Sequence, residues 1–127
     1  MLAARPGTIQ KVTDGYDGVG GDNNNEIQVK QYKGDVVKDG NEDGTVAYYL
    51  HIQKDSAKQL KIVNGTKVKQ GDQIAKVGSV GNSLTGHIHF MVKNGTSTIA
   101  VSFTDVGDDK GIPRTFHSYT SGNRRVP

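Results

Sequence analysis

The chain contains no cysteine, which excludes disulfides and thiolate-ligated zinc and leaves the redox compartment open. Only three prolines stand against 17 glycines, so turns should be frequent and long helices rare. Apolar residues make up 33% of the 127 positions, and no apolar run approaches the length of a membrane span. The opening MLAARPG lacks the apolar stretch of a secretory leader, so none is expected. Sixteen basic and 13 acidic residues leave a formal charge of +3. That excess suits an anionic partner, but without aromatic-basic interleaving it gives no reason to expect nucleic acid. The length fits one domain with a modest core.

What is present alternates with the period of strands. Thr8 to Thr13 (TIQKVT) and Glu26 to Tyr32 (EIQVKQY) alternate apolar and polar residues, and Thr45 to Ile52 (TVAYYLHI) is rich in strand formers. GHIHFMV and TSTIAVSF supply two more strand candidates, while KDSAKQLK is the only helix candidate, one short turn. Asp14 to Asn25 (DGYDGVGGDNNN) is a loop by composition. Ile62 to Gly78 (IVNGTKVKQGDQIAKVG) spaces apolar residues by glycine turns, which suits short strands crossing at a barrel corner. The expected fold is all-β: a twisted antiparallel sheet with a small second sheet, barrel-sandwich-like. Asp39 to Gly44 (DGNEDG) matches the opening of a calcium loop, but the position that needs a bidentate Glu is Leu50, so a hairpin turn is expected instead. The acidic stretch from Asp105 to Gly111 reads the same way.

Chemistry concentrates in GHIHF, Gly86 to Phe90. Two of the four histidines sit there, behind the glycine-rich approach GSVGNSLTG. On a strand, His87 and His89 would point to one face, and paired imidazoles on a rigid face can bind a metal or relay protons. His51, in YYLHI, is the third candidate, and His117 reads as structural or surface.

The order of these motifs resembles the lysostaphin-type (LytM-type) zinc metallopeptidases, which cut peptide cross-links of bacterial peptidoglycan. AARPGTIQKV, NEIQVKQ, DGTVAYYLHI and VKQGDQIAKVGSVGNSLTGHIHFMV carry the resemblance, from about Ala3 to Val92. It implies that His89 is a zinc ligand. It implies that His87 contacts the zinc-bound water or scissile carbonyl, and that His51 faces the same water and helps stabilise the transition state. Such zinc lowers the pKa of bound water towards about 7, and nearby imidazoles move protons and stabilise an oxyanion. In this family the other two ligands come from a His-x-x-x-Asp motif ahead of the AARPGT segment. His51 and Asp55 share that spacing, but His51 already fills the Y-x-L-H position. One ligand cannot hold catalytic zinc, so the expectation is weak or absent zinc and a chain inactive as written. The alternative is a degenerate member that binds cell wall or regulates a cell-wall hydrolase.

The resemblance also sets the remaining expectations. A peptidase-like β domain over 1–103 would be followed by an irregular extension over 104–127 packed on it. Peptidoglycan peptide is the expected partner, with a cell-wall hydrolase as a second, and the location is periplasmic, cell-surface or secreted. The histidine strand should be central, with His51 on a neighbouring strand and all three imidazoles converging on one point. Loops 14–25 and 79–86 should form the walls of the groove. A biotinyl or lipoyl carrier also uses glycine-spaced strands, but Lys67, Lys69 and Lys76 lack the context of a modifiable lysine, and GHIHF would go unexplained.

Overall fold

A computed structural model of the chain describes residues 1–106 and 109–113. Six strands form one antiparallel sheet: β1 (Gly7–Thr13), β2 (Glu26–Tyr32), β3 (Glu42–Leu50), β4 (Lys67–Val68), β5 (His89–Asn94) and β6 (Ser97–Ile99). Their spatial order is β4-β1-β2-β3-β5-β6. A single helical turn, α1 (Ser56–Gln59), falls in the KDSAKQLK segment, and a 3-10 turn spans Asp109–Gly111. The all-β expectation holds. No helix of the described residues is long and apolar enough to cross a membrane.

The alternation read in the sequence becomes two unlike faces. Opposed residues of neighbouring antiparallel strands share a face, so the register row Ile9–Val29–Ala47–Val92 lies on one side. All four are buried, together with Ile27 and Tyr49. Apart from β4, residues 52–80 wrap over this side and bury Ile52, Ala57, Ile62, Ile74 and Ala75 against it, beside Val68 of β4 itself. Burying a Val or Ile side chain contributes roughly 1.5–3 kcal/mol, which is why a short-stranded chain with little helix still closes around one core. Among the described residues the other side carries no such layer. The row Thr13–Glu26–Leu50–His89 crosses it. Polar side chains link along it, Gln10 to Gln28 at 2.7 Å, Gln28 to Glu26 at 2.8 Å and Lys11 to Glu26 at 3.0 Å.

The glycine-spaced segment departs from the barrel-corner expectation. Among the described residues it contributes only two-residue β4 and isolated bridges, Leu2 with Gln73 and Ile52 with Val77. Glycine turns at this density interrupt pairing before a longer strand can form. β5 is also less central than expected, since only β6 lies beyond it.

DGNEDG straddles a turn at Asp39 and Gly40 and the first residues of β3, and its side chains are engaged locally. The Asn41 amide donates to the carbonyls of Lys33 and Val36 at 3.1 and 3.0 Å, and Asp39 pairs with Lys67 at 3.0 Å. Asp43 accepts from the Thr45 amide and hydroxyl at 2.8 and 2.6 Å and pairs with Arg5 at 2.9 Å. Burial pushes the Asp43 carboxyl up, but Thr45 and the Arg5 guanidinium outweigh it and hold the group below its ordinary value. These carboxylates are committed to the turn. Gly107 and Asp108 of the second acidic stretch lie outside the described residues, as do residues 114–127 with His117.

Tyr49 ties the start of the chain to the core: its hydroxyl accepts from the Ala4 amide at 2.8 Å. Burial pushes that hydroxyl up to about 12, against smaller opposing effects of Ala4 and Arg5. The folded state therefore favours the neutral phenol. Its contribution is intact below the ordinary value near 10 and is lost as pH rises towards 12, at roughly 1.4 kcal/mol per pH unit. Tyr49→Phe should cost about 1 kcal/mol at neutral pH through the lost hydrogen bond. The variant should also lack this part of the alkaline decline, so denaturant midpoints of the two proteins should approach each other above pH 10 and cross before pH 12. Parallel decline would refute the assignment.

Candidate functional site

Pairing of β3 with β5 ends at Leu50 opposite His89. His51 is the next residue after β3, and His87 lies two residues before β5. The three histidines therefore meet at one end of this strand pair. The His51 ring centroid is 4.8 Å from that of His87 and 5.9 Å from that of His89.

Neither His51 nor His87 sits on a strand, which corrects the expectation from alternation. His51 leaves β3 in the left-handed region, at φ 63°. Histidine tolerates this conformation better than most residues, yet it still costs on the order of 1 kcal/mol. Four hydrogen bonds offset that cost. The His51 amide donates to the carbonyl of Asn25 at 3.0 Å and to Oδ1 of Asn24 at 3.2 Å. Its carbonyl accepts from the Gly78 amide at 2.8 Å, and its Nδ1 meets the Val80 carbonyl at 2.8 Å. A carbonyl only accepts, so Nδ1 carries the proton and neutral His51 presents a bare Nε2. The residue is 6% exposed.

His87 is exposed but also anchored. Its Nδ1 faces the Thr85 carbonyl at 2.9 Å and Oγ of buried Ser83 at 3.1 Å. Ser83 Oγ in turn donates to the Thr85 carbonyl at 2.7 Å. The same logic puts the proton on Nδ1 and leaves Nε2 bare. His89 begins β5 on the open face, and no hydrogen bond holds its ring among the described residues. The cluster thus contains two rings fixed by backbone carbonyls and one held only by its strand.

The two expected loops do border this cluster. Val80, of loop 79–86, touches His51, and Asn24 and Asn25, of loop 14–25, hold its amide. The loops also join each other: the Gly20 amide donates to the Gly81 carbonyl at 2.7 Å and the Gly81 amide to the Gly18 carbonyl at 3.2 Å. Gly81 adopts φ +89°, and a Cβ there would meet the Asn23 carbonyl at 3.0 Å. Asp55 opens α1 and takes no part in the cluster. Sequence reading missed Asn24, Asn25 and Ser83, because nothing in their one-dimensional context separates a site-holding amide or hydroxyl from a loop residue.

A family model for peptidase family M23 matches residues 1–101. The chain belongs to peptidase family M23. No solved structure gives a significant match. Membership supports a peptidase-type function of the kind found in cell-wall hydrolases, and M23 peptidases are generally zinc-dependent. In this M23 domain the imidazoles are nitrogen donors suited to zinc, and two of them, His51 and His87, have Nδ1–H anchored on a carbonyl as metal-binding histidines usually do. Yet among the described residues no group of three or more His, Cys, Asp or Glu side chains is arranged to hold a metal ion. No carboxylate is bonded to the rings, and Glu26, in the His89 row, is engaged by Lys11 and Gln28. The described part of this M23 domain does not fit a complete zinc centre.

Two substitutions test how the cluster is held. A Cβ at Gly78 would lie 2.7 Å from the Gln53 amide nitrogen and 2.8 Å from its Cα. Gly78→Ala should therefore push the 51–53 segment away and cost roughly 1–3 kcal/mol, measured by thermal unfolding. An unchanged melting temperature would show that the close approach is not required. Ser83→Ala removes one partner of His87 but keeps the Thr85 carbonyl. It should cost about 1 kcal/mol and broaden or shift the His87 imidazole signals in NMR while leaving those of His51 in place. An unmoved His87 would exclude Ser83 as its anchor.

Proposed function

We propose that this M23 domain recognises peptide segments of bacterial peptidoglycan at the three-histidine cluster, and that the described residues alone do not hydrolyse them. The observation that carries the reading is the convergence of His51, His87 and His89 in a chain matched to this family over residues 1–101. The open face supplies a floor beside the cluster, with Glu26, Tyr48, Leu50 and Met91 around His89, and the two joined loops supply walls. Zinc, where such a centre is complete, activates water and polarises the scissile carbonyl. The residues of this chain would bind and orient the peptide. Bare Nε2 atoms of His51 and His87 accept a proton from a reacting group, or donate one to a developing oxyanion once protonated. His89 is the ring we assign to metal. The site of action is the cell wall, periplasmic or extracellular, where a charge of +3 draws the domain to an anionic polymer.

A second reading is a non-catalytic member that regulates a cell-wall hydrolase. The lack of a metal-holding group among the described residues favours it. Both readings share recognition of the wall and differ in the role that recognition serves.

Co-sedimentation with insoluble peptidoglycan, elemental analysis and release of new amino groups separate these outcomes. The chain should pellet with the polymer, less so as salt rises, since exposed charges are screened beyond about 10 Å at 0.1 M. His51→Ala and His87→Ala should weaken binding several-fold, zinc should be well below one per chain, and no new amines should appear. Stoichiometric zinc with amine release would overturn the inactivity, and absence of binding would overturn the peptidoglycan reading. Stimulation of an added cell-wall amidase would select the regulatory role.

A further inference from the structure

Asn25 is wholly buried and uses its polar atoms on two segments that flank the cluster. Its Nδ2 donates to the Tyr16 carbonyl at 2.8 Å and to the Ile52 carbonyl at 3.2 Å. Its Oδ1 accepts from the Tyr16 amide at 3.0 Å, and its own carbonyl accepts from the His51 amide at 3.0 Å. One residue therefore joins the wall loop at Tyr16, the entry to β2, the peptide that precedes His51 and the peptide that follows Ile52. A buried amide is usually retained only where its partners are present, and here the partners are all backbone.

We propose that Asn25 is a positioning residue for His51. His51 needs φ 63° to bring its Nδ1 onto the Val80 carbonyl and its ring beside His87. The left-handed region is accessible but unfavourable for a residue with a Cβ, so the peptides on either side must be held. Asn25 holds the preceding one through the His51 amide and the Ile52–Gln53 peptide, one residue further on, through the Ile52 carbonyl, while Gly78 holds the peptide between them through the His51 carbonyl. Without its Nδ2 the Ile52 peptide loses a restraint, His51 relaxes towards negative φ, and its Cβ turns the ring away from Val80. The same amide pairs with both polar groups of the Tyr16 backbone, so the wall and the imidazole are set by one side chain. The importance of the cluster rests on the proposed function, but the test reads ring geometry and needs no catalysis.

The experiment is nitrogen-15 NMR of the histidine rings at neutral pH in the full chain, with thermal unfolding alongside. In the parent protein His51 should show a protonated Nδ1 and a bare Nε2. Asn25→Asp keeps the shape and the acceptor but replaces the donor, and Asn25→Ala removes both. Both should lose that signal pair for His51, while His87, anchored separately by Thr85, keeps its own. Val68→Ala, a core truncation on β4, serves as the control for lowered stability and should leave His51 unchanged. If Asn25→Ala does not fold, Asn25→Asp carries the comparison. Retention of the His51 signature in the Asn25 variants would overturn the proposal. Its equal loss in Val68→Ala would do the same, because the ring would then follow overall stability. Failure to bind peptidoglycan would sink the functional reading and leave this result standing.

Discussion

The antiparallel register of β3 against β5 is the constraint on which the site depends. Because Leu50 stands opposite His89, the residue leaving one strand and those entering the other come to the same end of the sheet. A slip of one residue would send His89 to the buried face and separate it from His51. The register is secured by the buried side, where Ala47 meets Val92 and Tyr49 meets Phe90, with ring centroids 5.0 Å apart. Packing on the closed face thus determines chemistry on the open one.

Past the ends of those strands, control moves from ladder to loop. His51 and His87 are not presented by pleat alternation. Each is aimed by a backbone carbonyl, Val80 for one and Thr85 for the other. Both carbonyls belong to the stretch between Gly78 and Gly86, which approaches the 51–53 segment so closely that Gly78 has no room for a Cβ. The glycine-rich approach therefore acts by proximity: it lets a loop run against the end of β3 and supply acceptors to two rings. Such carbonyl anchors choose the tautomer as well as the orientation, which an exposed strand histidine cannot do.

Much of this is legible in the residues. Alternation locates β1 and β2 nearly to the residue, and composition alone marks 14–25 as loop. The resemblance carried by YYLHI and GHIHF brings three distant histidines into one site on sequence alone. What alternation misjudges is the local route. H-x-H on a strand predicts two rings on one face by pleat, whereas β5 begins at His89 and His87 is turned in by Ser83 and Thr85. Left-handed φ at His51 has no signature in its neighbours, because its cause lies in Asn25 and Gly78, far along the chain on either side. Polar residues that act through non-local backbone partners leave no periodic trace, so in the sequence Asn25 is only the end of an asparagine run.

Holding the rings through carbonyls has a consequence for a member of this family. In many metal sites the ion itself gathers ligands that would otherwise diverge, and binding and folding are coupled. Here the buried ring and one exposed ring are placed by hydrogen bonds to the Val80 and Thr85 carbonyls, and the left-handed residue is held by bonds to its own backbone. Those bonds occupy Nδ1 and leave Nε2 bare, so they and a metal would not compete for the same atom. On the proposed reading, recognition draws on the groove and the oriented imidazoles, and hydrolysis needs ligands beyond them.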